Sequence, residues 1–385
     1  MIRISDKELC CGCTACVSAC PARCIVMRRD REGFDYPVAN PDMCLKCGLC
    51  ERICPMQNPV QKVEPMAAYA AICVSKTKEA SSGGVFPLLA QEVIKNEGVV
   101  CGAALDSSCV VEHREAETIE ELAAFSGAKY VQSELYSIFE DVKCRLKEGT
   151  KVLFSGTPCQ IAGLRSYLRD EYENLYTVDI ACHGVPSPGL WEKYKAALET
   201  LHSSRLKNVK FRDQSNGWRH YNIRYDFADK TVKVPRLKDP YLALFLQDMS
   251  LRPSCYDCRM RNGRSGSDIT LGDLWSVAQT APKMNDDKGV SGVLINTVKG
   301  RELWEKIAGS LSLEQLTPAD VAKDNGGFAQ KPTPIPEKRE EFFKGVHSTK
   351  NLPKYMRSYV VRKPLLSLYR NLRSMLSSLK RRILK

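Results

Sequence analysis

Two stretches decide the reading of this chain: residues 10–21, CCGCTACVSACP, and residues 44–55, CLKCGLCERICP. Each spells Cys-x2-Cys-x2-Cys-x3-Cys-Pro. A cubane iron–sulfur cluster takes one thiolate at each iron corner, and this spacing supplies them. Three come from one tight loop, because gaps of two residues let backbone amides turn inward around the group. The fourth must come from elsewhere. A lone Cys-x2-Cys would point only to zinc or a redox pair. Two zinc knuckles are the competing reading, but four ligands each would give no reason for the x3-Cys-Pro ending. Cys11 and Cys24 are left over. Cys11 reads as a small loop residue, and Cys24 as a small buried hydrophobe.

Written twice, the run resembles that of bacterial two-cluster ferredoxins, in which the last cysteine of each run ligates the other cluster. The resemblance implies one 4Fe-4S cluster on Cys10, Cys13, Cys16 and Cys54, and a second on Cys44, Cys47, Cys50 and Cys20. Pro21 and Pro55 turn the chain after each crossing ligand.

The chain has 385 residues, room for two or three domains, and its apolar content of 43% can fill a sizeable core. It has 18 cysteines, yet Met1 to Asp6 runs straight into the cluster motif with no signal-peptide pattern. Thiolates kept for clusters imply a reducing compartment, so a cytoplasmic protein of an anaerobe is expected. No apolar run is long enough to cross a bilayer. The net charge of +12 is uneven: no acidic residue follows Glu341, while 12 Lys or Arg follow it. The body is neutral, which argues against a nucleic-acid partner. Residues 336–385 read as a basic amphipathic tail, with Leu365, Leu368, Leu372, Leu379 and Ile383 at helical spacing. Such a helix lies on an anionic membrane, giving peripheral contact through residues 342–385, or docks on the body or a partner.

Residues 1–62 form the small ferredoxin-like domain, ending in a Pro-containing linker over 56–66. In residues 63–335 strand and helix patterns alternate, which predicts a larger α/β domain with function at strand ends. Strands are expected over 67–74, 99–105, 151–154, 175–181 and 293–298. Helices are expected over 85–95, 118–125, 135–147, 165–168, 191–201 and 239–249, and from 302. Alternation in Val209, Phe211, Tyr221, Ile223, Tyr225 and Phe227 predicts antiparallel strands, so the class is mixed α/β with α+β character.

Cys159 and Cys182 each follow a predicted strand, and Cys255-x2-Cys258 is a chelating pair. Together they suffice for a third cluster or a zinc site, against the alternative of ordinary buried thiols. Cys73, Cys101, Cys109 and Cys144 read as core.

Ser82-Gly83-Gly84-Val85-Phe86, Lys129-Tyr130-Val131-Gln132-Ser133, Ser155-Gly156-Thr157-Pro158-Cys159-Gln160, Cys182-His183-Gly184-Val185-Pro186-Ser187, Cys255-x2-Cys258 and Asp268-Ile269-x2-Gly272-Asp273-Leu274-Trp275 occur in that order. Over residues 65–330 this series resembles the coenzyme F-420 hydrogenase/dehydrogenase beta-subunit family. The resemblance implies an FAD-binding catalytic domain with its own 4Fe-4S cluster on Cys159, Cys182, Cys255 and Cys258. It makes Ser82, Gly83, Gly84, Lys129, Tyr130 and Gln132 flavin-site candidates, the glycines allowing close backbone approach and free amides meeting the pyrophosphate. His183 is either a flavin neighbour or a hydrogen-bonded structural residue. Asp268 and Asp273 either support the cluster loop or cap backbone amides, and no chemistry is assigned to them. Arg252, Arg259, Arg261 and Arg264 bind an acidic cofactor tail or offset thiolate charge.

The function implied is an oxidoreductase exchanging an electron pair with a small hydride donor or acceptor, and single electrons with a redox partner protein or a quinone-linked enzyme. The rival is a non-enzymatic, polyferredoxin-like carrier.

Overall fold

A computed structural model describes residues 1–75, 80–329 and 332–361. The first domain is built on a hairpin, β1 (Ile25–Arg29) and β2 (Asp35–Ala39), paired antiparallel from Ile25↔Ala39 to Arg29↔Asp35. Two short helices, Ala15–Ser18 and Leu49–Arg52, follow the cysteine loops.

The second domain is organised by an eight-stranded sheet. Its first strands are β3 (Ala67–Cys73), β4 (Val99–Leu105), β5 (Val111–Ala116), β6 (Val152–Gly156) and β7 (Leu175–Ile180). A separate antiparallel sheet follows: β8 (Leu206–Asp213), β9 (Asn222–Phe227) and β10 (Thr231–Pro235). The chain then returns to the large sheet with β11 (Ile269–Asp273), β12 (Ser291–Ile295) and β13 (Leu311–Leu316). The large sheet runs β13-β3-β12-β11-β7-β6-β4-β5. Its centre, β11-β7-β6-β4, is parallel, and the flanking pairs are antiparallel.

Alternation along β6 shows how the layers form. Leu153 points to the layer containing the helices Val85–Lys95 and Val298–Ala308, with Leu89, Val93, Leu303 and Trp304. Val152 and Phe154 point the other way, to the helices Ile138–Lys147 and Pro158–Leu168. A two-residue side-chain period dictates this split. The second layer also takes in Cys11, Cys13, Ala15, Ile53 and Met56, so the first domain docks there.

The strands and helices expected over 67–74, 85–95, 99–105 and 175–181 are present within a residue or two. The short helix expected over 118–125 is a 3-10 turn at Glu121–Phe125, and the strand expected to reach Val298 ends at Ile295. β1, β2, β5, β11 and β13 have no strand counterpart in the sequence reading.

The region read as a tail from residue 336 differs from that reading. Helices Arg339–Val346 and Leu352–Tyr359 bury Phe342, Phe343 and Met356 in the same core as Trp191, Phe211 and Tyr241. Arg339 makes a two-pronged ion pair with Glu32 of the first domain, at 2.9 and 2.6 Å. Counting charge missed this, because the apolar side of each helix carries the contact. The helix expected over 364–385 lies outside the described residues. Among the described residues no helix is long and apolar enough to cross a membrane.

Candidate functional site

The two cysteine loops share one backbone device. In the first, Gly12 and Thr14 have left-handed φ values of 72° and 60°; in the second, Lys46 and Gly48 have 55° and 70°. These are equivalent positions in the two runs. A left-handed residue on each side of the middle cysteine reverses the chain's curl and aims amides at the loop interior, as in the Lys46 N–H donating to Cys44 Sγ at 3.4 Å. A threonine and a lysine held there are strained, and such strain marks functional loops.

The thiols gather around three cavities. The first is lined by Cys10, Cys13, Cys16 and Cys54, with Cys11 added. The second is lined by Cys20, Cys44, Cys47 and Cys50, with Cys24 added. The third is lined by Cys159, Cys182, Cys255 and Cys258, again with Cys11. Each crossing cysteine, Cys54 and Cys20, thus stands with the loop of the other run. Among the described residues no group of three or more His, Cys, Asp or Glu could hold a single metal ion. Each set of four lines one cleft, the arrangement of donors a cubane takes.

The third set follows from topology. β6 and β7 are adjacent and parallel, so their carboxyl ends lie together and carry Cys159 and Cys182. This is where ligands bind in open α/β sheets. The 3-10 turn Pro253–Cys255 brings up the other pair, anchored by Arg252 N–H on Val185 O at 2.9 Å. A polar chain supports Cys159. His113 Nε2 meets Ser155 O at 2.9 Å and its Nδ1 meets Ser133 Oγ at 2.9 Å. Gln160 Nε2 donates to Ser133 Oγ at 2.8 Å, and Gln160 Oε1 accepts from Thr157 N–H at 2.9 Å. Thr157 Oγ1 lies 3.2 Å from Cys159 Sγ. Burial holds His113 near a pKa of about 4, so it is neutral.

Burial also pushes Cys16 and Cys255 up to about 12 and raises Cys182 and Cys54. Cys159 is raised first by its contact with the Cys11 thiol and then by burial. Such thiols stay protonated until a cation binds, so loading a metal group expels protons.

The six flavin candidates do not converge on one of these cavities. Ser82 Oγ donates to Val290 O at 2.9 Å, and Gly83 N–H donates to Ser291 Oγ at 3.0 Å, so that amide is engaged within the fold. A Cβ on Gly83 would strike Ala71 O, so packing on β3 already requires glycine there. Gly84 caps the helix Val85–Lys95 with φ 82°. Lys129 Nζ donates to Ala124 O and Ser126 O at 2.9 and 3.0 Å, and burial, with Arg114 adding, lowers it to about 7. Gln132 belongs to the first thiol cavity's loop, donating to Cys11 O at 3.1 Å. Tyr130 alone faces unmet chemistry. Beside it stands Arg212, 6% exposed, between the rings of Tyr221 and Trp275. Its NH1 donates to Asp273 at 2.6 Å, while its Nε and NH2 have no partner. Buried orphan donors of this kind ask for an anion. Gln214 ties Ala80 and Ser81 to the same region. No motif pointed to Arg212; only its neighbours in space mark it.

Other sequence readings resolve plainly. His183 pairs with Asp248 at 2.8 Å, and its carbonyl accepts from Arg261. Asp268 accepts from Thr177 N and Oγ1 and from Thr297 Oγ1. Cys73, Cys101 and Cys109 are buried, but Cys144 is exposed, a correction, because it lies on the solvent side of Ile138–Lys147. Cys11 is not a simple loop residue: it is a wall shared by two cavities.

Comparison with known proteins adds two families. Residues 149–319 match the carboxy-terminal region of the beta subunit of coenzyme F420 hydrogenase/dehydrogenase, and residues 9–58 match a 4Fe-4S dicluster domain. The chain therefore carries a domain of each. A coenzyme F420-dependent sulfite reductase of Methanocaldococcus jannaschii is 22% identical over 78% of this chain and 46% of its own length. The beta subunit of a coenzyme F420 hydrogenase of Methanococcus voltae is 26% identical over 58% of this chain and 73% of its own. The chain thus spans about half the length of the first relative. A chain of the F420-reducing NiFe hydrogenase complex from Methanosarcina barkeri, solved with xenon, overlays with a TM-score of 0.46, at 16% identity, over 78% of this chain and 92% of that one.

Proposed function

We propose that this chain is an iron–sulfur flavoprotein oxidoreductase working between a small hydride donor or acceptor and a one-electron redox partner. The observation that carries the reading is the row of three thiol-lined cavities, the first and third sharing Cys11 and Met56 as a common wall. Cys10, Cys13, Cys16 and Cys54 hold one 4Fe-4S cluster, Cys44, Cys47, Cys50 and Cys20 a second, and Cys159, Cys182, Cys255 and Cys258 a third. Clusters so held take up single electrons, and FAD takes an electron pair as hydride.

The chain's own part is positioning. The left-handed loop residues aim amides at the thiolates, and the His113–Ser133–Gln160–Thr157 chain holds Cys159. For FAD, the orphan N–H groups of Arg212 and the rings of Tyr130, Tyr221 and Trp275 suit a phosphate and a flat ring system. The F420 of the named relatives makes a deazaflavin the first hydride partner to test.

The carrier reading has one observation in its favour: Ser82, Gly83 and Lys129 spend their polar groups inside the protein. Anaerobic purification with iron, sulfide and flavin quantification decides. About twelve irons and one FAD per chain are expected. About eight irons and no flavin would overturn the flavoenzyme and leave the carrier.

A further inference from the structure

Arg252 is 1% exposed, and among the described residues no carboxylate pairs with it. It leaves the third cysteine set, three residues before Cys255, and crosses to the first domain. There its Nε donates to Cys10 O at 2.8 Å and its NH2 to Asp35 O at 2.9 Å. NH2 also lies 3.7 Å from Cys10 Sγ, and NH1 donates to Gln132 Oε1 at 3.0 Å. The guanidinium stacks over Tyr36 at 4.3 Å and Phe34 at 5.4 Å. Every hydrogen-bond partner is neutral or a sulfur. A buried cation without a counter-ion is costly, so the anion that completes this site is the thiolate set at Cys10.

The second cavity is built differently. Its sulfurs meet backbone amides, Ile2 N–H on Cys50 at 3.3 Å and Lys46 N–H on Cys44 at 3.4 Å, and a neutral thiol, Cys24 at 3.5 Å from Cys20 Sγ. In the first cavity a buried guanidinium lies 3.7 Å from a ligand sulfur; the third has the buried Arg261 in its wall, with its NH2 donating to His183 O.

We propose that Arg252 sets the reduction potential of the group held by Cys10, Cys13, Cys16 and Cys54, its fixed positive charge favouring the reduced, more negative state. This rests on the cluster reading above. The step it biases is a bare one-electron gain at the cluster: no bond forms or breaks there and no proton moves, and the electron comes singly from the reduced flavin already proposed, which keeps or releases the proton, or from dithionite in the assay. Potentials of such clusters respond to net charge and to hydrogen bonds on the sulfurs. Gln132 and Arg252 also hold the Cys10-Cys11-Gly12 loop against the third set. Arg252 is thus a positioning residue as well as a charge.

The test is an anaerobic redox titration of the full chain, followed by electron paramagnetic resonance, with iron counted in each sample. In Arg252→Gln one iron–sulfur signal should show a reduced-to-oxidised ratio about tenfold lower at a given potential, about 59 mV for one electron. Arg252→Lys, which keeps the charge, should recover most of that shift. Unchanged potentials at unchanged iron would overturn the inference, as would a Lys variant shifted as far as Gln. If Gln loses iron, the Lys variant decides alone: a potential near wild type supports the charge, and a full shift defeats it. Wild-type protein without iron would sink the cluster reading itself, a result separable from the others.

Discussion

The two halves of the first domain repeat in sequence and in backbone, yet they sit in opposite surroundings. Cys10, Cys13 and Cys16 are buried: Met56 lines their cavity, Arg252 lies 3.7 Å from Cys10 Sγ, and the helix Pro158–Leu168 of the second domain packs against Cys13. In the second cavity Cys47 is exposed, and Cys20, Cys44 and Cys50 are half-buried. The same run of residues has become an internal joint on one side and a surface terminal on the other. The difference lies in what packs on each loop, not in the loops. On the function proposed above, the inner site would exchange electrons within the chain and the outer one would meet a partner.

The largest break in this comparison comes from the ligands. Cys16→Ala and Cys47→Ala should each remove about four of about twelve irons. Their effects on stability should differ. The inner cavity is part of the contact between domains, and metal binding there is also folding energy. Cys16→Ala should therefore lower the melting temperature of the whole chain, while Cys47→Ala leaves the body melting as wild type. Equal melting losses would erase the distinction. A milder version uses air or a chelator on wild-type protein. The exposed second site should lose its spectroscopic signal first, and the inner signal should outlast it; the reverse order would contradict the burial argument.

The contrast was only half legible in the sequence. Ligand spacing is local chemistry, so the eight cysteines of the two runs stood out, as did Cys159 and Cys182 after their strands. What packs on each loop is set by residues far away in the chain. Nothing near Cys11 marks it as a shared wall, and Arg252 lies 242 residues from the sulfur it faces. Gly83 was read as an approach for a ligand, but the crowding comes from Ala71 on β3. β5 was missed because its buried positions do not alternate as apolar residues: Val111 shares its face with a buried histidine, His113, and Ala116 is buried on the other face. Phe342, Phe343 and Met356 were hidden under the basic charge counted over the whole segment after Glu341, although the helix Arg339–Val346 itself is neutral.

The third set, whose Cys159 is held by the His113 chain, should also feel pH through His113. Its folded pKa of about 4 lies below the ordinary 6.5, so the unfolded state binds the extra proton between those values. Its contribution is full above pH 6.5 and is lost as pH falls toward 4, about 3 kcal/mol in all. Denaturant unfolding of wild type against His113→Gln, from pH 7.5 to 5, checks this. The variant should be less stable at neutral pH and show a flatter decline. A parallel decline would remove His113 from the account.

The smallest effect sharpens the comparison best, because it touches only the inner loop. Gly163 lies in the middle of Pro158–Leu168, where alanine would ordinarily be the better helix residue by up to about 1 kcal/mol. Here a Cβ would come within 2.7 Å of Cys13 Cβ and 3.0 Å of its sulfur. Neither partner is the free end of a flexible side chain; one is tied to the loop and the other to the site. Overpacking of this kind costs about 1–3 kcal/mol, so Gly163→Ala should be destabilising by the remainder. Its signature should be local: the inner iron–sulfur signal broadens or shifts, and that of the second cavity stays as it was. A variant that stabilises the chain and leaves both signals unchanged would mean that the first domain does not press on this helix, and the inner joint would lose its closest wall.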